Sequence, residues 1–154
     1  MDTKPRHGAS LLERALALAV EAHEGQRNAA GGPYVLHPLR VMLRLDGEAE
    51  RVVAVLHDAV ENCADRVTLE RLRGEGYPEE VVDAIDRLSR RRGESYAAFV
   101  ERIAPSPLAR RVKLADLADN LDWMVFGSAE PDEMTGLRER MVAWRRLSAI
   151  DAGR

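Results

Sequence analysis

Two ionisable residues, His57 and Asp58, lie side by side inside the apolar run AVLHDAV, and Glu61 follows them closely. Burying an aspartate without partners costs several kcal/mol or forces it to take up a proton, so these residues need compensating partners. On a helix, Glu61 lies four residues after His57 and three after Asp58, so the three side chains share one face. A structural hydrogen-bond network or a narrow solvent-facing stripe would explain the His-Asp pair alone. The added acid favours a metal or acid-base site.

A second carboxylate lies in an apolar setting farther along the chain, in the segment VKLADLADNL. There Asp116 is flanked by leucine and alanine residues, and Asn120 follows one helical turn later on the same face. Taken alone, the segment favours an ion pair between Asp116 and Lys113, with Asn120 capping or solvated. Taken together with the His-Asp pair, it favours a site shared between the two segments.

The chain therefore offers two imidazoles and two carboxylates from three predicted helices: His37, His57, Asp58 and Asp116. Such a mixed nitrogen and oxygen set, with room for water, suits manganese, iron or another octahedral divalent ion better than a closed tetrahedral zinc site. A bound divalent ion lowers the pKa of a water molecule, and a nearby base can then accept its proton. The residues predict a catalytic metal centre.

The elements that must position these residues are predicted to be helices, because the sequence shows no period-two alternation of useful length. Ser10 is placed to cap a first helix from Leu11 to Gly25, and Pro38 suits the first position of a second helix, with His37 at its entry. Residues 48–63 predict a third helix that is apolar on most faces and therefore central. Further helical segments are predicted over residues 68–76, 78–91, 95–104, 106–126 and 131–150. The expected fold class is all-α, with about seven or eight helices.

Composition fits one domain of 154 residues, of which 45% are hydrophobic. With 23 basic and 26 acidic residues the net charge is -3, so no basic field favours a nucleic acid polymer as a partner. The single cysteine, Cys63, excludes an internal disulfide and a cysteine-based zinc cluster. No signal-peptide pattern and no apolar stretch near the roughly 20 residues that span a bilayer are present, so we expect a cytoplasmic protein without a membrane partner. The sequence is also compatible with a homo-oligomer.

The order His, His-Asp, Asp resembles the signature of HD-domain metal-dependent phosphohydrolases, which are all-α proteins. More closely, the blocks AHEGQ, GGPYVLHP, LHDAVEN and VKLADLADN resemble, in this order, the hydrolase domain of RelA/SpoT proteins and the small alarmone hydrolases. The resemblance covers roughly Leu11 to Trp123. It implies one HD hydrolase domain over residues 10–150, preceded by a flexible terminus, residues 1–9.

The resemblance also implies a role for each matching residue. Four residues would ligate one ion, usually manganese in this family: His37, His57, Asp58 and Asp116. Glu61 falls at the position of the acid that positions or activates the attacking water, and Asn120 at that of a substrate-contacting asparagine. The implied substrate is a small nucleotide, ppGpp or pppGpp, from which removal of the 3′ pyrophosphate leaves GDP or GTP.

Two departures from the family pattern bear on activity. Asn62 stands at the catalytic position where the family has the second acid of a Glu-Asp pair, and an amide cannot accept a proton, so hydrolysis is expected to be slower or altered. In the family an arginine two residues past the glutamine of AHEGQ helps hold the guanine; this chain has Asn28 there and Arg27 one place earlier. Arg27 could stack on a base by its planar guanidinium or be a solvated loop residue.

These departures keep two alternatives open. One is an HD phosphohydrolase acting on another nucleotide, such as an adenine alarmone or a nucleoside monophosphate. The other is a weakly active regulatory module that binds metal and nucleotide. Five arginines also allow two roles, a helix-terminal or surface role or a contact with substrate phosphates: Arg90, Arg91, Arg92, Arg110 and Arg111.

Overall fold

The computed structural model of the chain describes residues 8–126 and 136–153. Within these ranges it contains eight α-helices and no β-strand, which confirms the all-α prediction and its helix number. In chain order they are α1 Leu11–Ala22, α2 Leu36–Leu43, α3 Glu48–Asn62, α4 Leu69–Gly74, α5 Glu79–Leu88, α6 Tyr96–Ile103, α7 Pro107–Phe126 and α8 Leu137–Asp151. Most of the terminus predicted to be flexible, and residues 131–135 of the predicted last helix, lie outside the described residues.

Local signals account for several helix ends. Ser10 and Glu13 close a capping box at α1, because the Ser10 hydroxyl accepts from the Glu13 backbone at 3.2 Å and Glu13 accepts from the Ser10 backbone at 2.6 Å. The first helix ends at Ala22, earlier than the predicted Gly25, which instead has a left-handed φ of 77°. The second helix begins before Pro38, which lies inside its first turn. A proline is tolerated there because first-turn N–H groups have no intrahelical acceptor.

The third helix is the centre of the bundle, as its apolar pattern predicts. It packs against α1, α2, α5 and α7. A helix covered on several sides must be apolar around most of its circumference. Five consecutive residues in its middle are accordingly fully buried: Val52, Val53, Ala54, Val55 and Leu56. The histidine and aspartate that follow them are therefore held on a rigid, central element.

The seventh helix completes the frame around the site. It spans 20 residues and packs against both α2 and α3, so its middle faces the two helices that carry the predicted histidines. Among the described helices none is both long and apolar enough to cross a membrane.

Candidate metal centre

Three helices bring the predicted ligands to one cavity of about 540 Å³. His37 lies in the first turn of α2, His57 and Asp58 in the second half of α3, and Asp116 in the middle of α7. Among the described residues, every predicted site residue except Asn62 lines this cavity: Arg27, Asn28, His37, His57, Asp58, Glu61, Asp116 and Asn120.

His57 is buried, and the backbone orients its ring. Its Nδ1 lies 2.7 Å from the carbonyl oxygen of Ala54 in the preceding turn. A carbonyl can only accept, so Nδ1 carries a hydrogen, and Nε2 is the ring nitrogen available to a metal. This Nε2 lies 3.2 Å from Asp58 Oδ1 and 4.0 Å from Asp116 Oδ1.

His37 faces the same carboxylates from α2. Its Nε2 lies 3.1 Å from Asp116 Oδ1 and 3.6 Å from Asp58 Oδ2, and its Nδ1 lies 2.8 Å from Asp119 Oδ2. Burial alone lowers the pKa of His37, but these carboxylates outweigh it and raise the pKa to about 9. Without a metal, His37 is therefore protonated at neutral pH, and a metal ion has to displace that proton.

Asp116 takes part both in the ion pair expected with Lys113 and in the predicted metal site. Lys113 Nζ donates to its Oδ2 at 2.8 Å, so the expected ion pair is present, and Asn120 Nδ2 donates to its Oδ1 at 2.9 Å. Burial raises the pKa of Asp116, but Lys113 and the two histidines outweigh burial and hold this pKa well below its usual range. The carboxylate is ionised, with Oδ2 balanced by lysine and Oδ1 turned toward both imidazoles.

Tyr34 supports Asp58 and was missed from the sequence. Its hydroxyl donates to Asp58 Oδ2 at 2.7 Å. Burial, followed by the charge of Asp58, raises the pKa of Tyr34, so the phenol keeps its proton and remains a donor. The sequence feature that could have identified Tyr34 is its position in the block GGPYVLHP, three residues before His37.

Asp119 was also missed, although it lies only three residues after Asp116. It is 3% exposed and accepts from Arg40 Nε at 2.9 Å and from Arg40 Nη2 at 3.0 Å, in addition to its contact with His37. Burial raises the pKa of Asp119, but Arg40 and His37 outweigh burial and lower it. Asp119 is therefore an ionised carboxylate behind the imidazole of His37.

The donor set fits a divalent ion. One ligand atom from each of His37, His57 and Asp58 lies within 4.8 Å of the others, so this group could hold a metal ion. Ligands on opposite sides of one ion, at about 2.1 Å each, are about 4.2 Å apart, so small side-chain adjustments suffice. With Asp116 Oδ1 adjacent to both imidazoles, the set contains two nitrogen and two carboxylate donors. This chemistry suits an ion with further positions for water.

The two residues at the end of α3 diverge. Glu61 lines the cavity and accepts from the backbone N–H of Arg90 at 3.2 Å. Asn62, the last residue of the helix, is exposed and does not line the cavity. Both side chains are exposed, and of the two only the predicted acid, Glu61, lines the cavity.

The loop before α2 contributes Arg27 and Asn28 to the cavity wall. Asn28 also holds the loop closed, because its Oδ1 accepts from the Gly32 backbone at 2.8 Å. Of the arginines that could meet phosphates, Arg90 lines the cavity. Two others make ion pairs away from it, Arg110 with Asp151 and Arg111 with Glu50.

Comparison with known proteins gives one negative and several positive findings. No protein-family model matches the chain. The bifunctional (p)ppGpp synthase/hydrolase SpoT of Escherichia coli (strain K12) is 30% identical over 142 residues, which are 84% of this chain and 20% of that protein. The guanosine-3′,5′-bis(diphosphate) 3′-pyrophosphohydrolase of Haemophilus influenzae is 36% identical over 129 residues, 75% of this chain and 19% of that protein. A probable GTP pyrophosphokinase of Mycobacterium leprae is 32% identical over 135 residues, 79% of this chain and 17% of that protein. The chain thus spans about a fifth of the length of these relatives.

Proposed function

Because the chain is homologous over most of its own length to proteins of the RelA/SpoT family, we propose that it is a metal-dependent phosphohydrolase of ppGpp or pppGpp. The proposed reaction is hydrolysis at the 3′ position, with release of pyrophosphate and formation of GDP or GTP. One observation carries the proposal: His37, His57, Asp58 and Asp116 meet in a single cavity, in a chain whose relatives include named 3′-pyrophosphohydrolases.

We assign the four converging residues as ligands of one divalent ion and expect manganese, because the donor set mixes imidazole nitrogen with carboxylate oxygen. Such an ion supplies positive charge that lowers the pKa of a bound water and draws charge from a phosphoryl oxygen. Glu61 is then the base that accepts a proton from the attacking water, since it lines the same cavity. The N–H of Arg90 holds one oxygen of Glu61 in place.

The charge of the cavity wall suits a substrate that carries two pyrophosphate groups. Five cationic side chains line the cavity beside its acids: Arg27, Arg40, Arg90, Lys113 and Arg140. Arginine forks match phosphate oxygens, and a volume of about 540 Å³ lies in the usual range of small-molecule sites. We assign substrate contacts to Asn120 and Arg27, and to Asn28 in the loop that carries Arg27.

Asn62 bears on the rate. The family pattern has an acid at this position, and an amide provides neither the charge nor the proton acceptor. We expect Asn62→Asp to increase the turnover of ppGpp in a steady-state assay of pyrophosphate release. Equal turnover of the two proteins would show that this exposed position does not limit the reaction.

The test of the proposed function is a nucleotide panel with the purified protein and Mn²⁺. We expect pyrophosphate release from ppGpp and pppGpp, and loss of that release in His57→Ala. Pyrophosphate release from an adenine alarmone, or inorganic phosphate release from a nucleoside monophosphate, would instead assign a different substrate. Nucleotide binding without product would favour a regulatory module. Full activity of His57→Ala would refute the site assignment.

Three further expectations from the sequence stay predictions: a cytoplasmic location, a homo-oligomer and the lack of a nucleic acid partner.

A further inference from the structure

We propose that Asp119 is the positioning residue for His37, holding the imidazole so that Nε2 faces the metal site, and that Arg40 holds Asp119 in turn. The inference rests on the proposed metal site. It concerns a residue that lies outside the ligand set and lines the same cavity.

The two nitrogens of the His37 ring face different groups. Nε2 lies 3.1 Å from Asp116 Oδ1, on the ligand side, and Nδ1 lies 2.8 Å from Asp119 Oδ2. An ionised carboxylate can only accept, so Nδ1 must carry a hydrogen when this contact is made. In the neutral ring, Nε2 is then the nitrogen with a lone pair, which is the form that binds a metal. Asp119 therefore selects both the tautomer and the orientation of the ligand.

Asp119 is itself fixed. Its side chain is 3% exposed, and Arg40 donates to both of its oxygens, at 2.9 Å from Nε to Oδ1 and at 3.0 Å from Nη2 to Oδ2. His37 and Arg40 are three residues apart on α2, and Asp116 and Asp119 are three residues apart on α7. Each helix therefore contributes one ligand and one supporting residue, and the docking of α2 on α7 sets the direction of the His37 ring.

His57 provides a useful contrast inside the same site. The acceptor for its Nδ1 is the backbone carbonyl of Ala54 at 2.7 Å, which a side-chain substitution does not remove. His37 has a side chain in that role. Replacement of Asp119 should therefore weaken one ligand selectively and leave the other ligands in place.

A simpler role for Asp119 would be to tie α2 to α7 without any effect on a metal. The chain offers a matched control for this role one helical turn along the same two helices. There Arg44 donates to Asp122, whose side chain is 56% exposed. Asp122→Asn therefore weakens an Arg-Asp pair between the same helices without altering Asp119, Arg40 or His37. Arg44 also lies 3.8 Å from Asp119 Oδ1, and the substitution leaves both of these residues in place.

The decisive variant is Asp119→Asn, which keeps the shape but leaves one oxygen to serve both His37 and Arg40. We expect its affinity for Mn²⁺, measured by calorimetry on the full chain, to fall by about 10–100-fold, the usual effect of removing a residue that orients a metal ligand. Asp122→Asn should bind Mn²⁺ as the wild type does. The visible spectrum of the Co²⁺-loaded protein, which reports ligand geometry, should change in Asp119→Asn alone.

The outcomes separate this inference from the function on which it rests. A wild-type protein that binds no Mn²⁺ would refute the metal site itself. A wild type that binds, with equal affinity in Asp119→Asn, would refute the positioning role and leave the metal site standing. An equal loss of Mn²⁺ affinity in Asp119→Asn and Asp122→Asn would show that Asp119 only links α2 to α7. If Asp119→Asn does not fold, Arg40→Met provides the test, with a smaller loss of affinity expected and an unchanged affinity counting against the inference.

Discussion

Replacing Arg102 with methionine is expected to loosen the loop of residues 89–95, which lies between α5 and α6 beside the metal centre. The guanidinium of Arg102 donates to the Glu94 carboxylate at 2.6 and 2.9 Å and to the Ser89 carbonyl at 2.9 Å. It also reaches the carbonyls of Asp86 at 3.3 Å and Arg87 at 3.4 Å, at the end of α5. One side chain therefore holds both ends of the loop.

The expected loss of unfolding free energy in Arg102→Met follows from the hydrogen bonds that Arg102 donates to backbone carbonyls. A net hydrogen bond contributes roughly 1 kcal/mol, so the short bond to Ser89 and the two longer contacts, counted together as one, amount to about 2 kcal/mol. The ion pair with Glu94 adds a pH-dependent contribution that this figure does not include. Methionine also removes the guanidinium from the face of Phe99, where its Cζ lies 5.7 Å from the ring centroid. For a protein of this size, a loss of about 2 kcal/mol lowers the Tm by about 4–8 °C.

The assay is thermal and urea unfolding of Arg102→Met, with hydrogen exchange measured over residues 89–95. Exchange should accelerate in the loop, including at Arg90, whose N–H is bonded to Glu61. The matched control is Arg73→Met, which removes a similar two-pronged pair with Glu79 at an exposed position and should leave the Tm nearly unchanged. Equal melting temperatures of the two variants would refute the reasoning, as would loop exchange that does not change in Arg102→Met.

Three further predictions concern stability. Glu94 has its pKa lowered to about 2 by the hydrogen bond from Arg102, below its ordinary value of 4.5. Its ionised form therefore stabilises the fold above pH 4.5 and this contribution is lost as the pH falls toward 2, so the urea midpoints of wild type and Glu94→Gln should differ at pH 6 and converge near pH 2. Leu56→Ala, at a fully buried position of α3, should cost about 2–5 kcal/mol in urea unfolding, whereas Leu43→Ala, at a position 73% exposed, should change the midpoint little. Ser10→Ala removes the cap of α1 and should cost about 1 kcal/mol by the same measurement, and an unchanged midpoint would show that the cap contributes nothing.

Much of the fold could be predicted from local patterns in the sequence. The all-α class, the central position of α3 and the cap at Ser10 follow from periodicity and from hydrogen bonds between residues three apart. The ends of helices were predicted less accurately, as at Gly25 and Pro38. The spacing of apolar residues does not show where the terminal turn of a helix gives way to a loop.

The candidate ligands were also predicted from the sequence, because a histidine and aspartate inside an apolar helix require partners wherever that helix packs. Only the tertiary structure decided which partners they have. Tyr34 meets Asp58 across 24 residues, and Asp119 meets His37 across 82 residues. The structure alone also shows that Glu61 lines the cavity and that its neighbour Asn62 does not. Contacts of this kind depend on how α2, α3 and α7 dock, and that docking is set by packing between helices that are distant in sequence.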